Sequence, residues 1–281
     1  MHTPLKLGMV GGGRGAFIGG VHRIASRIDG EWSLVAGALS SDPERAALSA
    51  ADLGIDPARS YGSYAEMAKA EAARPDGIDA VAIVTPNHMH AGPAIAFLEA
   101  GIHVICDKPL AHSLEDAERI AAAVKASGKH FILTHNYTGY PLMRQAREMV
   151  ASGALGTLRF VAVEYIQDWL TEAADPDNKQ AAWRTDPERS GAGGCVGDIG
   201  THAFNLASFV TGLELERLSA DLTAFVAGRE VDDNVECRFR FKGGIFLGLM
   251  LFRAVPGIAL SLPVFMMWSR LGLVDTKMGL I

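Results

Sequence analysis

Cysteine is scarce: Cys106, Cys195 and Cys237 are the three in 281 residues, odd in number and widely separated. No Cys-x-x-Cys or Cys/His spacing suggests a zinc site, and no even set suggests a disulfide framework. Reduced thiols in a cytoplasmic protein with no metal centre are the expectation. A basic excess is missing too. Lys and Arg number 26 against 32 Asp and Glu, for a net charge of -6 and a pI near 5.8. Nucleic acid is therefore not an expected partner, because its phosphates are bound by cations that displace counterions. No secretory leader is read at the start, where an apolar strand-like run at residues 5–10 follows almost at once. Acidic residues are missing locally, with none between Glu236 and Asp275. The apolar run at 245–268 in that stretch is broken by Arg253, Pro256 and Pro263. No clean stretch of about 20 apolar residues is left to span a membrane.

What is present fits two cores. The hydrophobic fraction is 49% and the charged fraction 21%, both ordinary for a soluble globular chain long enough to divide. Short apolar runs at 5–10, 34–39, 78–85, 103–106 and 131–134 predict buried strands. Helices are predicted between them, such as 43–53 behind Asp42 and Pro43, and 114–127 ended by Gly128. This alternation predicts a doubly wound α/β domain with a parallel sheet. From about Pro141 the pattern changes. A helix through Arg147 and Val150 stops at Gly153, and longer strands follow at 158–167, 218–227 and 235–241, with a helix at 201–210. Few crossovers imply an α+β domain with an open, largely antiparallel sheet. The expected domains are 1–135 and 136–281.

The segment Val10-Gly11-Gly12-Gly13-Arg14-Gly15-Ala16 follows the first strand and opens a helix. Its Gly11-x-Gly13-x-x-Ala16 spacing fits the dinucleotide fingerprint of a Rossmann domain. Gly11 is expected to make the tight turn, Gly13 to let backbone approach the pyrophosphate, and Ala16 to pack helix on strand. The helix start then offers N–H groups and a positive dipole end to phosphate. After the second strand stand Ser40, Ser41, Asp42, Pro43, Glu44 and Arg45. Asp42 suits either a helix cap or the ribose hydroxyls of NAD. Ser40, Ser41 and Arg45 tilt toward the extra phosphate of NADP. The choice between NAD and NADP stays open.

Two further segments carry chemistry. Lys108 follows a parallel strand at its carboxyl end, where an ammonium can stabilise developing alkoxide character. Asp198 and His202, four residues apart behind a glycine-rich loop, share one face of a helix and suit proton transfer, with His202 as general base. The stretches Thr85-Pro86-Asn87-His88-x-His90, Asp107-Lys108-Pro109 and Gly193-Gly194-Cys195-Val196-Gly197-Asp198-Ile199-Gly200-Thr201-His202, with the fingerprint, resemble the Gfo/Idh/MocA oxidoreductase family over about residues 5–240.

The resemblance implies hydride transfer between NAD or NADP and a secondary alcohol of a sugar, inositol or related polyol. It makes Lys108, Asp198 and His202 the catalytic set. It places Phe17, Ile18, Thr85, Pro86, Asn87, His90, Asp107, Lys108 and Asn136 along the nucleotide. Tyr165, Gln167, Trp183 and Arg184 become walls of the substrate pocket, and a homo-oligomer is implied through the second sheet. The alternatives are redox-neutral glycoside cleavage with bound NAD, and a sensor of dinucleotide or sugar without turnover. After about residue 244 the family's pattern is not recognisable, and a truncated or altered tail is expected there.

Overall fold

The computed structural model describes residues 3–175, 177–243 and 246–252. The chain divides into two compact units, Met1–His135 with Glu188–Gly191, and Asn136–Pro187 with Ala192–Ile281.

In the first unit, strands β1 (Leu5–Gly11), β2 (Trp32–Ala38), β3 (Ala80–Val84), β4 (His103–Asp107) and β5 (Phe131–Thr134) form a parallel sheet in the order β2-β1-β3-β4-β5. Every residue of β3 is buried. Val81 and Ile83 face one core with Phe97, Leu98 and Ile120, while Ala80, Ala82 and Val84 face a second with Leu7, Met9 and Leu39. Two covered faces explain the unbroken apolar runs. The covering helices are α1 (Phe17–Arg27), α2 (Pro43–Asp52), α3 (Tyr64–Ala73), α4 (Ala91–Glu99) and α5 (Leu114–Ser127). Their ends follow local chemistry. The Asp42 carboxylate accepts from the Arg45 N–H, the Ser113 hydroxyl from the Asp116 N–H, and Gly128 closes α5 in the left-handed region. The strand order reverses between β1 and β3, and ligands bind at such a switch, outside the carboxyl ends of the strands.

The second unit carries α6 (Pro141–Ala151), β6 (Phe160–Ile166), α7 (Lys179–Arg184), α9 (Thr201–Thr211), β7 (Leu215–Thr223), β8 (Asn234–Phe241) and β9 (Phe246–Phe252); α8 (Pro187–Ser190) falls, but for Pro187, in the first unit. Its sheet order is β6-β9-β8-β7. β8 runs antiparallel to both its neighbours, and β6 runs parallel to β9. Val235, Cys237, Phe239 and Phe241 alternate inward and pack on Ala203 and Ala207 of α9.

Two sequence expectations shift. The strand placed at 218–227 lies at Leu215–Thr223, because Phe225 and Val226 donate their N–H groups to Asp233 in a turn. The departure placed after residue 244 meets β9, an inner strand of the sheet; residues 253–281 lie outside the described residues.

Candidate active site

The glycine turn sits at the switch between β1 and β3, with Gly11 opposite Val84. Gly11 and Gly12 have positive φ (79° and 75°), which only glycine adopts without strain. The roles within the turn differ from the fingerprint's simple assignment. A methyl on Gly13 would meet Ser49 Oγ at 2.7 Å and the Leu39 carbonyl oxygen at 2.8 Å, so Gly13 brings the turn against β2 and α2. Close packing of helix on turn falls to Gly19, whose added methyl would lie 2.5 Å from Gly12 Cα. Ala16 is instead the N-cap of α1. Arg23 of α1 donates to the Gly12 carbonyl at 2.7 Å and fixes the turn from behind.

This cradle fits a dinucleotide. The start of α1 has no side-chain cap and no acidic residue in its first turn, which leaves donors for an anion. A methyl on Gly15 would meet nothing within 4 Å, so the turn is open on that side. Phe17, 72% exposed, begins the helix, and Ile18 packs on the core. At the end of β2, Asp42 caps α2 and its own N–H donates to the Ser40 hydroxyl, while Ser41 and Arg45 are exposed.

The turns after β3 and β4 are tied together. His90, 1% exposed, has Nδ1 2.8 Å from the Pro109 carbonyl oxygen and Nε2 2.9 Å from that of Thr85. Burial pulls its imidazole below the ordinary range, against the opposing pull of both carbonyls and of Asp107. Asn87 is buried, donating to the Ser190 carbonyl. The structure thus gives His90 and Asn87 backbone partners, where the resemblance placed both along the nucleotide. Thr85 Oγ1 donates to the Met89 carbonyl, and Pro86 leads into that turn.

Asp107 accepts from Thr134 Oγ1 at 2.9 Å and faces His22 Nε2 at 3.6 Å. Burial alone would raise its carboxyl, but those two partners and Lys108 outweigh it and hold it below the usual carboxylate range. Lys108 follows directly, half-buried, and acts with burial to depress His135. Asn136 is exposed and opens a short turn after β5.

His90→Phe removes the clasp and is expected to cost about 1–3 kcal/mol, since a neutral imidazole has one N–H to give and the buried carbonyl that receives it loses its donor. A neutral buried imidazole also makes the parent lose stability as pH falls through the ordinary histidine range. The variant should lose less over that interval. Urea denaturation at several pH values measures both effects, and a phenylalanine variant as stable as the parent would refute the clasp.

The second unit gathers the other predicted residues. Residues Val196–Gly200 form a π-turn leading into α9, a wider winding than the plain helix on which an i,i+4 pair aligns. Asp198, 8% exposed, accepts from Arg184 Nε at 2.8 Å. Arg184 also donates to the backbone and side-chain oxygens of Gln180 and stacks over the rings of Trp183 (4.2 Å) and Trp169 (5.6 Å). The residue expected in the pocket wall is thus engaged with the carboxylate expected beside the general base. His202, also 8% exposed, lies against Tyr137 (ring centroids 4.9 Å) and Tyr165 (6.3 Å). The Tyr137 and Tyr165 hydroxyls are 2.7 Å apart, and Gln167 Nε2 donates to Tyr165 at 3.4 Å. Burial, with the Tyr137 hydrogen bond, pushes the Tyr165 phenol well above its ordinary range. Tyr137, Tyr165 and His202 line a cavity of about 230 Å³ with Val163, Ala203 and Leu206.

Tyr137 went unread in the sequence. Its signal was weak, a tyrosine just past a strand end beside Asn136. Among the described residues there is no cluster of metal-ligand side chains, and no helix is long and apolar enough to cross a membrane.

Comparison with known proteins agrees with this geometry. The family model "Oxidoreductase family, NAD-binding Rossmann fold" matches residues 5–137, and that of the GFO/IDH/MocA C-terminal domain matches 143–265, past the point where the sequence suggested a break. Levoglucosan dehydrogenase of Pseudarthrobacter phenanthrenivorans is 33% identical over 266 residues, covering 85% of this chain and 65% of that protein. The crystal structure of an oxidoreductase from Sinorhizobium meliloti is 51% identical with a TM-score of 0.82, covering 91% of this chain and 67% of that one. An inositol dehydrogenase homolog from Azotobacter vinelandii, complexed with NADH and myo-inositol, is 35% identical with a TM-score of 0.83, covering 91% and 65%. The chain spans about two thirds of the length of these relatives. With its glycine turn, its Lys108 segment and its Asp198–His202 segment in family order, the chain belongs to the Gfo/Idh/MocA oxidoreductases, and its first unit is their NAD-binding Rossmann domain.

Proposed function

We propose that this chain is an NAD(P)-dependent dehydrogenase or reductase acting on a secondary alcohol of a sugar, inositol or related polyol. The observation that carries the reading is the gathering of His202, Tyr137 and Tyr165 around one cavity, with Asp198 close by in the same unit. When bound, the nicotinamide exchanges a hydride with the substrate carbon. His202 takes the hydroxyl proton as general base. Lys108 steadies the negative charge that grows on the oxygen. Asp198, held by Arg184, keeps a fixed carboxylate near the imidazole for a neighbouring hydroxyl of the substrate. Tyr165, Gln167 and Trp183 offer phenol, amide and aromatic faces that suit a polyol. The relatives named for levoglucosan and myo-inositol support the same substrate class.

The reading includes a cytoplasmic homo-oligomer, joined through the second sheet's open face. That face carries Phe160, Ala162, Glu164, Glu236 and Arg238. The three cysteines are buried thiols outside any disulfide, as a reducing compartment allows.

Calorimetric titration with NAD and with NADP, followed by a spectrophotometric screen of sugars and inositols, tests the proposal. Tight binding of one dinucleotide and a stoichiometric rise in its reduced form with one polyol are expected. Dinucleotide binding with no reduction across the panel would overturn the enzymatic reading in favour of a sensor.

A further inference from the structure

The turn that carries Asp198 begins without a cap of its own, because the residue ahead of it, Cys195, makes no side-chain cap bond. The missing acceptor comes from the distant start of β8. Asp232, 8% exposed, accepts the Gly194 N–H on Oδ1 at 2.7 Å and the Val196 N–H on Oδ2 at 2.8 Å, with Cys195 Sγ at 3.0 Å on the same oxygen. Its backbone carbonyl accepts the Cys195 N–H at 2.9 Å. Contact is so close that a methyl on Gly194 would lie 2.2 Å from that carbonyl oxygen. One buried carboxylate therefore binds the consecutive residues from which the π-turn and α9 start, as an anion sits at a helix N-terminus.

We propose that Asp232 is the positioning residue of the proton-transfer site: by capping this turn from the segment just ahead of β8 it sets the direction in which Asp198 and His202 project. The role of those two residues rests on the reading given above; the cap itself does not. A π-turn is an uncommon winding that persists where surrounding structure holds it, frequently at functional sites. Here the hold is charge-assisted and comes from outside the helix. Asp233, next in sequence, points elsewhere. It binds the N–H groups of Phe225 and Val226 and the guanidinium of Arg229, which also donates to the carbonyls of Leu170 and Glu172. The start of β8 is thereby fixed on its other side, so Asp232 is held on a rigid support.

Asp232→Asn keeps the shape and removes the charge and one acceptor. In this variant Cys195, fully buried in the parent, is expected to alkylate at least about tenfold faster, located by peptide mass spectrometry. The NMR titration midpoint of the His202 imidazole should move. On the polyol that the parent reduces or oxidises, kcat should fall about 10²-fold, the scale of a small misplacement of catalytic groups, with the dinucleotide Kd unchanged. Gly194→Ala reaches the same contact from the loop side and must move the thiol rate and the His202 midpoint too; it decides the matter if Asp232→Asn does not fold. Parent-like thiol reactivity and parent-like His202 titration would overturn the proposal. A parent without polyol turnover overturns the enzymatic reading instead, and leaves these two measurements to judge the cap.

Discussion

Replacing Lys108 or His202 by alanine is expected to lower polyol turnover by about 10²–10⁴-fold, the usual worth of a positioned proton-transfer group. Dinucleotide binding should largely persist in both, within a few fold for His202→Ala and with a somewhat larger loss for Lys108→Ala, because the glycine turn itself is built from β1, α1 and residues against β2 and α2. The two losses differ in kind. Lys108→Ala removes a cation whose influence already reaches Asp107 and His135, so the developing oxyanion loses its stabilisation. His202→Ala removes the base from between two tyrosine rings, and a small general base such as imidazole should restore part of its rate. Steady-state rates near the parent's in both single variants would remove both residues from the chemistry.

The second large effect concerns two adjacent glycines of α1. Gly19→Ala drives a methyl to 2.5 Å from Gly12 Cα and 2.8 Å from the Gly12 oxygen, both backbone atoms that have nowhere to move. Such overpacking costs about 1–3 kcal/mol. It also pushes the helix start away from the turn, so dinucleotide affinity should fall tenfold or more on the order of that strain. For Gly20→Ala the nearest atom is Arg23 Nη2 at 3.9 Å. That variant should gain up to about 1 kcal/mol of helix propensity and bind as the parent does. Thermal denaturation with calorimetric titration separates the pair, and equal behaviour of the two variants would contradict the packing described.

Much of this architecture was legible in the sequence. The parallel sheet follows from apolar runs that only two covered faces require, and Asp42, Ser113 and Gly128 mark helix ends by local chemistry. What was not legible depends on where distant segments meet. The fingerprint gives spacing, but not the direction of each missing Cβ, so Gly13 and Gly19 could be assigned only in three dimensions. His90 and Asn87 lie in a family motif, yet their partners are backbone carbonyls of Thr85, Pro109 and Ser190, which no spacing reveals. Arg184 reads as a pocket donor until its bond to Asp198 is seen. Asp232 gives no sequence signal, since a cap drawn from 36 positions away leaves no local pattern. Glu71, a helical acid 1% exposed, was equally silent; it is neutralised by Arg59 and accepts from the Tyr61 hydroxyl.

The position of β9 also bears on the order of assembly. Among the described residues β6 has one strand neighbour, β9, the last strand described. During synthesis, at about 5–20 residues per second, β6 emerges early and then waits with its edge groups unpaired until residues 246–252 follow. Tyr165 lies on β6 and Gln167 just after it, so the wall expected to face the polyol is among the last parts of the second unit to become fixed. The glycine turn and the five parallel strands of the first unit need nothing from that late strand, and a growing chain can complete its NAD-binding domain well before β6 is fixed in its sheet.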